Sequence, residues 1–209
     1  MADRNIQIIT PATSIDFLTL AECKLLLGMS ASDTSQDQVL QMMISENSAL
    51  ITTMCNRTFA EEVVTESWRD IGDRRLFMSH WPIKSIASIT AAGTTLDVSA
   101  YEVENLSGKI SIFNGNGGSW SEPAIVNYTG GYVLPTEAPL ALKQATAILV
   151  REEKIRMMQA QTAGIRSIVH KDSRVMYFDP NAVLLKLGGT SPGMKAVENL
   201  LNHYIRFEV

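Results

Sequence analysis

Tyr128-Thr129-Gly130-Gly131-Tyr132, then Pro135, then Ala141, Ala145, Ile148, Leu149 and Ile155 at three- and four-residue steps: this stretch decides the fold. It reads as the end of a strand, a glycine turn and the longest helical pattern in the chain, with its apolar residues on one stripe. Thr136 is a suitable cap, Pro139 is tolerated in a first turn whose N–H groups are orphans, and Gly164 suits a left-handed stop. A helix over 136–163 follows, and at 1.5 Å per residue it is about 40 Å long, more than a small domain needs, so its second half leaves the core. Past Val150 the sequence turns to Arg151, Glu152, Glu153, Lys154 and Arg156. Glu152 and Arg156 have i,i+4 spacing on a face that is solvated or an interface.

Working outward toward the amino terminus, Thr19 and Glu22 make a capping-box pattern and predict a short helix over 19–27, stopped at Gly28. Leu40, Met43, Ile44, Leu50, Ile51 and Met54 keep helical spacing and predict an amphipathic helix over 36–55, its methionines filling core. Residues 1 to 13, with Ile6, Ile8, Ile9 and Pro11, form an extended entry. From Val63 the period changes to two: 63–69, 76–78, 101–104, 109–113 and 124–128 are short strands, with Gly93 and the glycines of 114–118 in turns. Their tight connections leave no room for crossover helices, so the β region, 61–132, is antiparallel. Beyond the long helix, 165–170 and 175–178 pair across Lys171-Asp172-Ser173, Val183 to Leu187 is a short apolar piece, and a last helix runs from Met194 to about Arg206. The expected class is α+β: a small helical bundle with an inserted antiparallel β-sheet region and a C-terminal hairpin plus helix. A body of residues 1–164 is expected to carry helices 19–27, 36–55 and 136–163, and a separate part the residues 165–209.

The 209 residues, 45% of them hydrophobic, can bury a core without metal or disulfide. No apolar run approaches the roughly 20 residues of a membrane span, and Met1 to Asn5 lack the basic start of a leader, so no membrane partner and synthesis in a cytoplasm are expected. Cys23 and Cys55 sit in apolar helical patterns and read as reduced, buried thiols. Net charge is −4, which argues against wrapping nucleic acid. Nine basic and six acidic residues from Arg151 onward give that part +3 and leave −7 for the first 150. This asymmetry fits an acidic partner for the C-terminal part or ordinary scatter.

No catalytic set emerges. His80, His170 and His203 lack metal-ligand spacing and the cysteines form no CxxC pair. Glu61-Glu62 and Glu152-Glu153 point to different faces of their elements and read as solvated charges. Gly188 to Lys195 approaches a phosphate loop, but the lysine is one residue late and Ala196 replaces the hydroxyl. Gly115 and Gly117 begin a dinucleotide pattern that Trp120 breaks. No enzyme activity, cofactor or metal is expected.

Two amino-terminal helices, then Trp81-Pro82-Ile83-Lys84-Ser85-Ile86, then Tyr128 to Tyr132, Pro135 and the helix through Leu142-Lys143-Gln144-Ala145, together with Gly164-Ile165-Arg166-Ser167 and the terminal Leu200 to Arg206, resemble the head-to-tail connector (adaptor) family of tailed bacteriophages and gene-transfer particles. The resemblance spans roughly residues 16 to 206. It implies a virion protein made in the host bacterial cytoplasm: a homo-oligomeric ring, most often of twelve copies, beneath the portal protein, extending the exit channel and offering a platform to head-closure or tail proteins. DNA passes through without sequence-specific binding, and no catalysis is implied. An isolated two-stranded hairpin is marginal in water and needs a partner, and Tyr204, Ile205 and Phe207 around Arg206 have the composition of an interface anchor. With the resemblance, these assign portal docking to Ile165, Arg166, Arg174, Tyr177, Phe178, Tyr204, Ile205, Arg206 and Phe207. The competing class is a DNA-binding regulatory module using its first two helices as a helix-turn-helix. Against it stand the long loop from Met29 to Gln36 and the scarcity of basic residues on the second helix.

Overall fold

A computed structural model describes residues 3–113, 120–161, 167–170, 173–176 and 191–206. The fold is α+β and divides into two compact units, one of Met1–Phe17, Thr52–Ala138 and Ile205–Val209, the other of Leu18–Ile51 and Pro139–Tyr204.

The first unit is all sheet among its described strands. β1 (Asp3–Thr10), β2 (Glu62–Arg69), β4 (Ile83–Ala91), β5 (Thr94–Thr95) and β8 (Ala124–Gly130) form one antiparallel sheet in the order β1-β2-β8-β4-β5, and β3 (Arg75–Phe77), β6 (Tyr101–Glu104) and β7 (Lys109–Ile112) form another in the order β3-β7-β6. Alternation sends Val64 and Trp68 of β2 and Ala124, Val126 and Tyr128 of β8 inward, where they meet Leu76 of β3 and Ile110 of β7 in a common core. Each such large side chain contributes about 1.5–3 kcal/mol by leaving water. The extended entry is a strand: β1 pairs with β2 from Asp3↔Arg69 to Ile8↔Val64, then shifts register before Thr10↔Val63. Nothing local predicts that pairing, because its partner lies some 60 residues away.

The second unit holds α1 (Leu20–Leu26), most of α2 (Asp37–Cys55), α3 (Leu140–Gln161), the hairpin of β9 (Ser167–His170) with β10 (Ser173–Met176), and α4 (Pro192–Leu201). The capping box is present: the Thr19 hydroxyl accepts from Glu22 N–H at 3.1 Å, and the Glu22 carboxylate accepts from Thr19 N–H at 2.9 Å. Gly28 takes the left-handed φ of +69° that ends α1. Leu18, Cys23, Leu40, Met43, Ile44 and Val150 make the core, while Met42 faces out. Cys23 and Cys55 are free and buried, and burial raises both thiol pKa values, Cys55 to about 11.

α3 begins at Leu140 instead of Thr136. The Pro139 carbonyl accepts from Leu142 and Lys143 N–H, so Pro139 opens the helix, while Glu137 N–H bonds Val133 in a separate turn. Its buried stripe is Leu142, Ala145, Thr146, Leu149 and Val150, which leaves the predicted stripe member Ile155 46% exposed. The 22 residues span about 33 Å; from Arg151 to Met158 none is fully buried, though Glu152, Glu153 and Lys154 are half-buried. The second hairpin strand starts at Ser173, two residues before the expected Val175, and α4 ends at Leu201. The Gly164 stop, the 114–118 turn and the 183–187 piece lie outside the described residues.

Candidate assembly surfaces

In the first unit the sequence puts acids where a strand alternates inward. Glu62 and Glu66 are on the buried face of β2, so of the Glu61-Glu62 neighbours only Glu61 is solvated, contrary to the expectation for both. Glu62 Oε2 sits 2.8 Å from His80 Nε2, and Glu62 Oε1 accepts from Ala12 N–H at 3.1 Å. The Tyr128 hydroxyl donates to Glu66 Oε1 at 2.5 Å and accepts from His80 N–H at 3.0 Å, while Ser79 N–H donates to the same Glu66 oxygen at 2.8 Å. Burial, then the Glu66 charge and hydrogen bond, push the Tyr128 phenol far above its ordinary pKa. Beside them the Arg57 guanidinium lies 3.1 Å from the Trp81 ring centroid and 4.3 Å from that of Phe59, and donates to the Trp81 carbonyl.

This network joins two sequence motifs. His80 precedes Trp81-Pro82, and Tyr128 opens the glycine turn; Gly131 N–H donates to Pro82 O at 2.9 Å. A Cβ on Gly130 would stand 2.3 Å from His80 O, and one on Gly131, whose φ is +103°, 2.2 Å from Ala60 O. Both glycines are therefore required by backbone approach. The titratable groups that meet here are buried in the sheet and hold a turn, with Glu66 Oε2 and His80 Nδ1 buried beside them without a hydrogen bond among the described residues. Only an acid at i and i+4 in an otherwise apolar inward register hinted at them in the sequence.

The edges of the larger sheet differ. On β1 every residue except Arg4 is exposed, with Ile6 at 39%, Ile8 at 51% and Ile9 at 54%, and Arg4 lies over the Trp68 ring at 5.5 Å. The strand has no Lys or Pro, and its one irregularity follows Ile8. The opposite edge carries Lys84, two register shifts in β4 and the β5 stub, devices that discourage further pairing.

Residues 16–172 match the family model described as head completion protein, three quarters of the chain. The chain belongs to the head completion protein family. Its fold is shared with chains of gene transfer agent particles: one from the "Neck of empty GTA particle computed with C6 symmetry" (TM-score 0.54, 13% identity, covering 98% of this chain and 97% of that one), one from the "Virion of native gene transfer agent (GTA) particle" (0.55, 13%, 98% and 96%) and one from the "Neck of native GTA particle computed with C12 symmetry" (0.51, 12%, 98% and 97%). Comparison with curated proteins gives no match.

The head completion match takes in both joined motifs and stops before β10, leaving β1 outside it as well. Of the residues expected to dock on a portal, Ile165, Arg166, Tyr177, Phe178 and Phe207 lie outside the described residues, and Arg174 is placed on β10. Tyr204, Ile205 and Arg206 are half-buried; Arg206 N–H donates to Cys55 O at 2.9 Å and its guanidinium to Phe77 O at 3.1 Å. In the second unit Glu152 is no solvated member of a pair with Arg156. It accepts from the Ser191 hydroxyl at 2.7 Å and Gly193 N–H at 3.0 Å at the start of α4, where helical N–H groups favour an anion. Glu153 accepts from Asn47 at 2.9 Å. A Cβ on Gly193 would stand 2.2 Å from Glu152 Oε1, so a side chain there would push the carboxylate aside. Among the described residues no three His, Cys, Asp or Glu side chains are placed to hold a metal.

Proposed function

We propose that this chain is the adaptor of a particle neck: a ring, most often of twelve copies, seated beneath the portal at the head-tail junction of the virion, extending the DNA exit channel and offering a platform to head-closure or tail proteins. What supports it is the head completion match over 16–172 joined to a fold held in common along 98% of the chain with a neck chain. The adaptor is made in the host bacterial cytoplasm and carries no catalysis, in keeping with acids and a histidine committed to one another inside a sheet. The −7 charge of the first 150 residues suits a channel past which DNA slides, since like charge disfavours sticking to phosphate. Residues 165–209 form the portal-docking part. A regulator reading finds little support, because α2 has no Lys or Arg to offer a groove.

Mixing the purified chain with portal rings tests this. The chain alone is expected to scatter as a monomer or weak oligomer, with closed rings in images only when portal is present, since ring closure and docking act through effective concentration. A tight closed dimer, or particle necks built without the chain, sinks the reading. Arg174→Glu and Phe207→Ala are expected to lose portal binding without a change in melting temperature; binding that survives both removes the docking assignment.

A further inference from the structure

Two elements of this chain are incomplete in the same way. β1 is an eight-residue strand with one ladder made; among the described residues no strand pairs with its other edge, and its isoleucines are exposed. β9 and β10 form a two-stranded sheet with no third strand among the described residues, and such a ribbon is marginal in water. An unguarded apolar edge is a template for another strand. A ring needs each copy to present two different, complementary surfaces, one to each neighbour, and identical edges meeting would close a dimer instead.

We infer that β1 of one copy pairs with the β9–β10 hairpin of the next copy, making a three-stranded extension of the larger sheet that crosses the subunit boundary. The occupant is this chain's own hairpin for two reasons. The hairpin is built of the residues a ladder favours, Ile168 and Val169 on β9 and Val175 on β10. The opposite edge of the sheet is guarded by Lys84, the β4 irregularities and β5, which among the described strands leaves β1 as the edge open to pairing. A ribbon has two edges, so using one on a neighbour leaves the other, with its faces, for the portal. The inference rests on the ring reading above, and it names the seam by which that ring closes.

Cysteine trapping decides it. The native Cys23 and Cys55 are buried, so introduced thiols report alone. Asn5→Cys or Gln7→Cys in one population is mixed with Val169→Cys or Val175→Cys in another, at high protein concentration and on portal rings, and oxidised. The expected product is a species of twice the 23.0 kDa chain mass that forms in a mixture and not from either variant alone, and a ladder to closed rings when one chain carries both substitutions. Amides of residues 4–8 are expected to gain protection from hydrogen exchange on assembly. Linkage of Gln7→Cys chains to one another overturns the pairing in favour of an edge-to-edge dimer, and a cross-link confined within single double-substituted chains overturns it in favour of self-pairing. Rings that form and enter necks with no cross-link in any of the four combinations overturn the seam while the adaptor reading stands. Trapping in the mixture by a chain that never enters a neck upholds the seam and sinks the adaptor role.

Discussion

Inside the sheet unit, Glu66 and Tyr128 meet across 62 residues of chain, and Glu62 and His80 across 18. In the helical unit most buried polar groups find partners close by: Asn47 and Thr146 donate to carbonyls four residues back, Lys24 reaches the Asp33 carbonyl at 2.7 Å and Asp37 at 2.5 Å, and only the second bond of Asn47, to Glu153, spans the unit among the bonds of these three residues. The first arrangement depends on several strands being in register at once. The second depends on single helices and their ends. Loss of one partner should therefore propagate in the sheet unit and stay local in the helical one.

The largest expected effect is Glu66→Ala. It strands the Tyr128 hydroxyl and Ser79 N–H in a fully buried site, at a cost of about 3–5 kcal/mol. For a chain of this size that lowers the melting temperature by on the order of 10 °C. Tyr128→Phe combined with it should cost less than the sum of the two single changes in urea titrations, because both break one network. Additive losses would show that the sheet interior is no more cooperative than the helices.

Alkali sharpens the contrast further. The folded Tyr128 pKa is raised above its unfolded value near 10, so its contribution is fully present below about pH 10 and falls by about 1.4 kcal/mol per pH unit beyond it. Tyr128→Phe is expected to flatten that alkaline limb of stability against pH. An unchanged slope would mean that the phenol is not held neutral by its burial.

The same division explains what the sequence disclosed. α1, α2 and α4 announce themselves through Thr19-x-x-Glu22, the Leu40 to Met54 spacing and the apolar stripe of Val197 and Leu201, signals written within a few residues. β1 and the Glu62-His80-Tyr128-Glu66 network depend on partners dozens of residues away, so Ile6 looked like an extended entry and Glu62 like a solvated acid. The motifs around Trp81-Pro82 and Tyr128 to Tyr132 were visible as separate strings. Their being one joint, locked by His80 N–H to the Tyr128 hydroxyl and Gly131 N–H to Pro82 O, belongs to tertiary structure alone. Glu152 misled for the opposite reason: its i,i+4 partner was plausible locally, but the start of α4 offered two donors.

Within the helical unit, Lys24→Ala should cost about 2 kcal/mol, because Asp37 and the Asp33 carbonyl lose a buried ammonium. Thr19→Ala should cost about 1 kcal/mol by leaving Glu22 N–H uncapped. Acid tests the same corner. Burial tends to raise the Glu22 pKa, but Lys143 and the Thr19 bonds outweigh it and hold the carboxyl below its ordinary value. Its contribution is thus present above about pH 4.5 and lost as pH falls through the lower folded value, and Glu22→Gln should shallow the acid limb without touching the alkaline one.

The smallest expected effect is at Lys84, and it measures how far the sheet unit's cooperativity reaches. Its ammonium lies between Glu61 and the Glu137 carboxylate, 2.7 Å from the latter, on the guarded edge of β4, and all three side chains are about a third or more exposed. Burial lowers the Lys84 pKa, but bonds to Glu137 and Glu61 more than compensate and raise it. Water screens such pairs, so Lys84→Ala should cost no more than about 1 kcal/mol and the difference should shrink at about 1 M salt, where the screening length falls to roughly 3 Å. Because Lys84 also discourages pairing at this edge, the variant should gain a tendency to self-associate while hardly changing its melting temperature. Light scattering at rising concentration, run beside a thermal melt, separates the two quantities. A destabilisation rivalling that of Glu66→Ala would show that the surface of the sheet unit is as tightly coupled as its interior, and the contrast between buried network and solvated rim would fail.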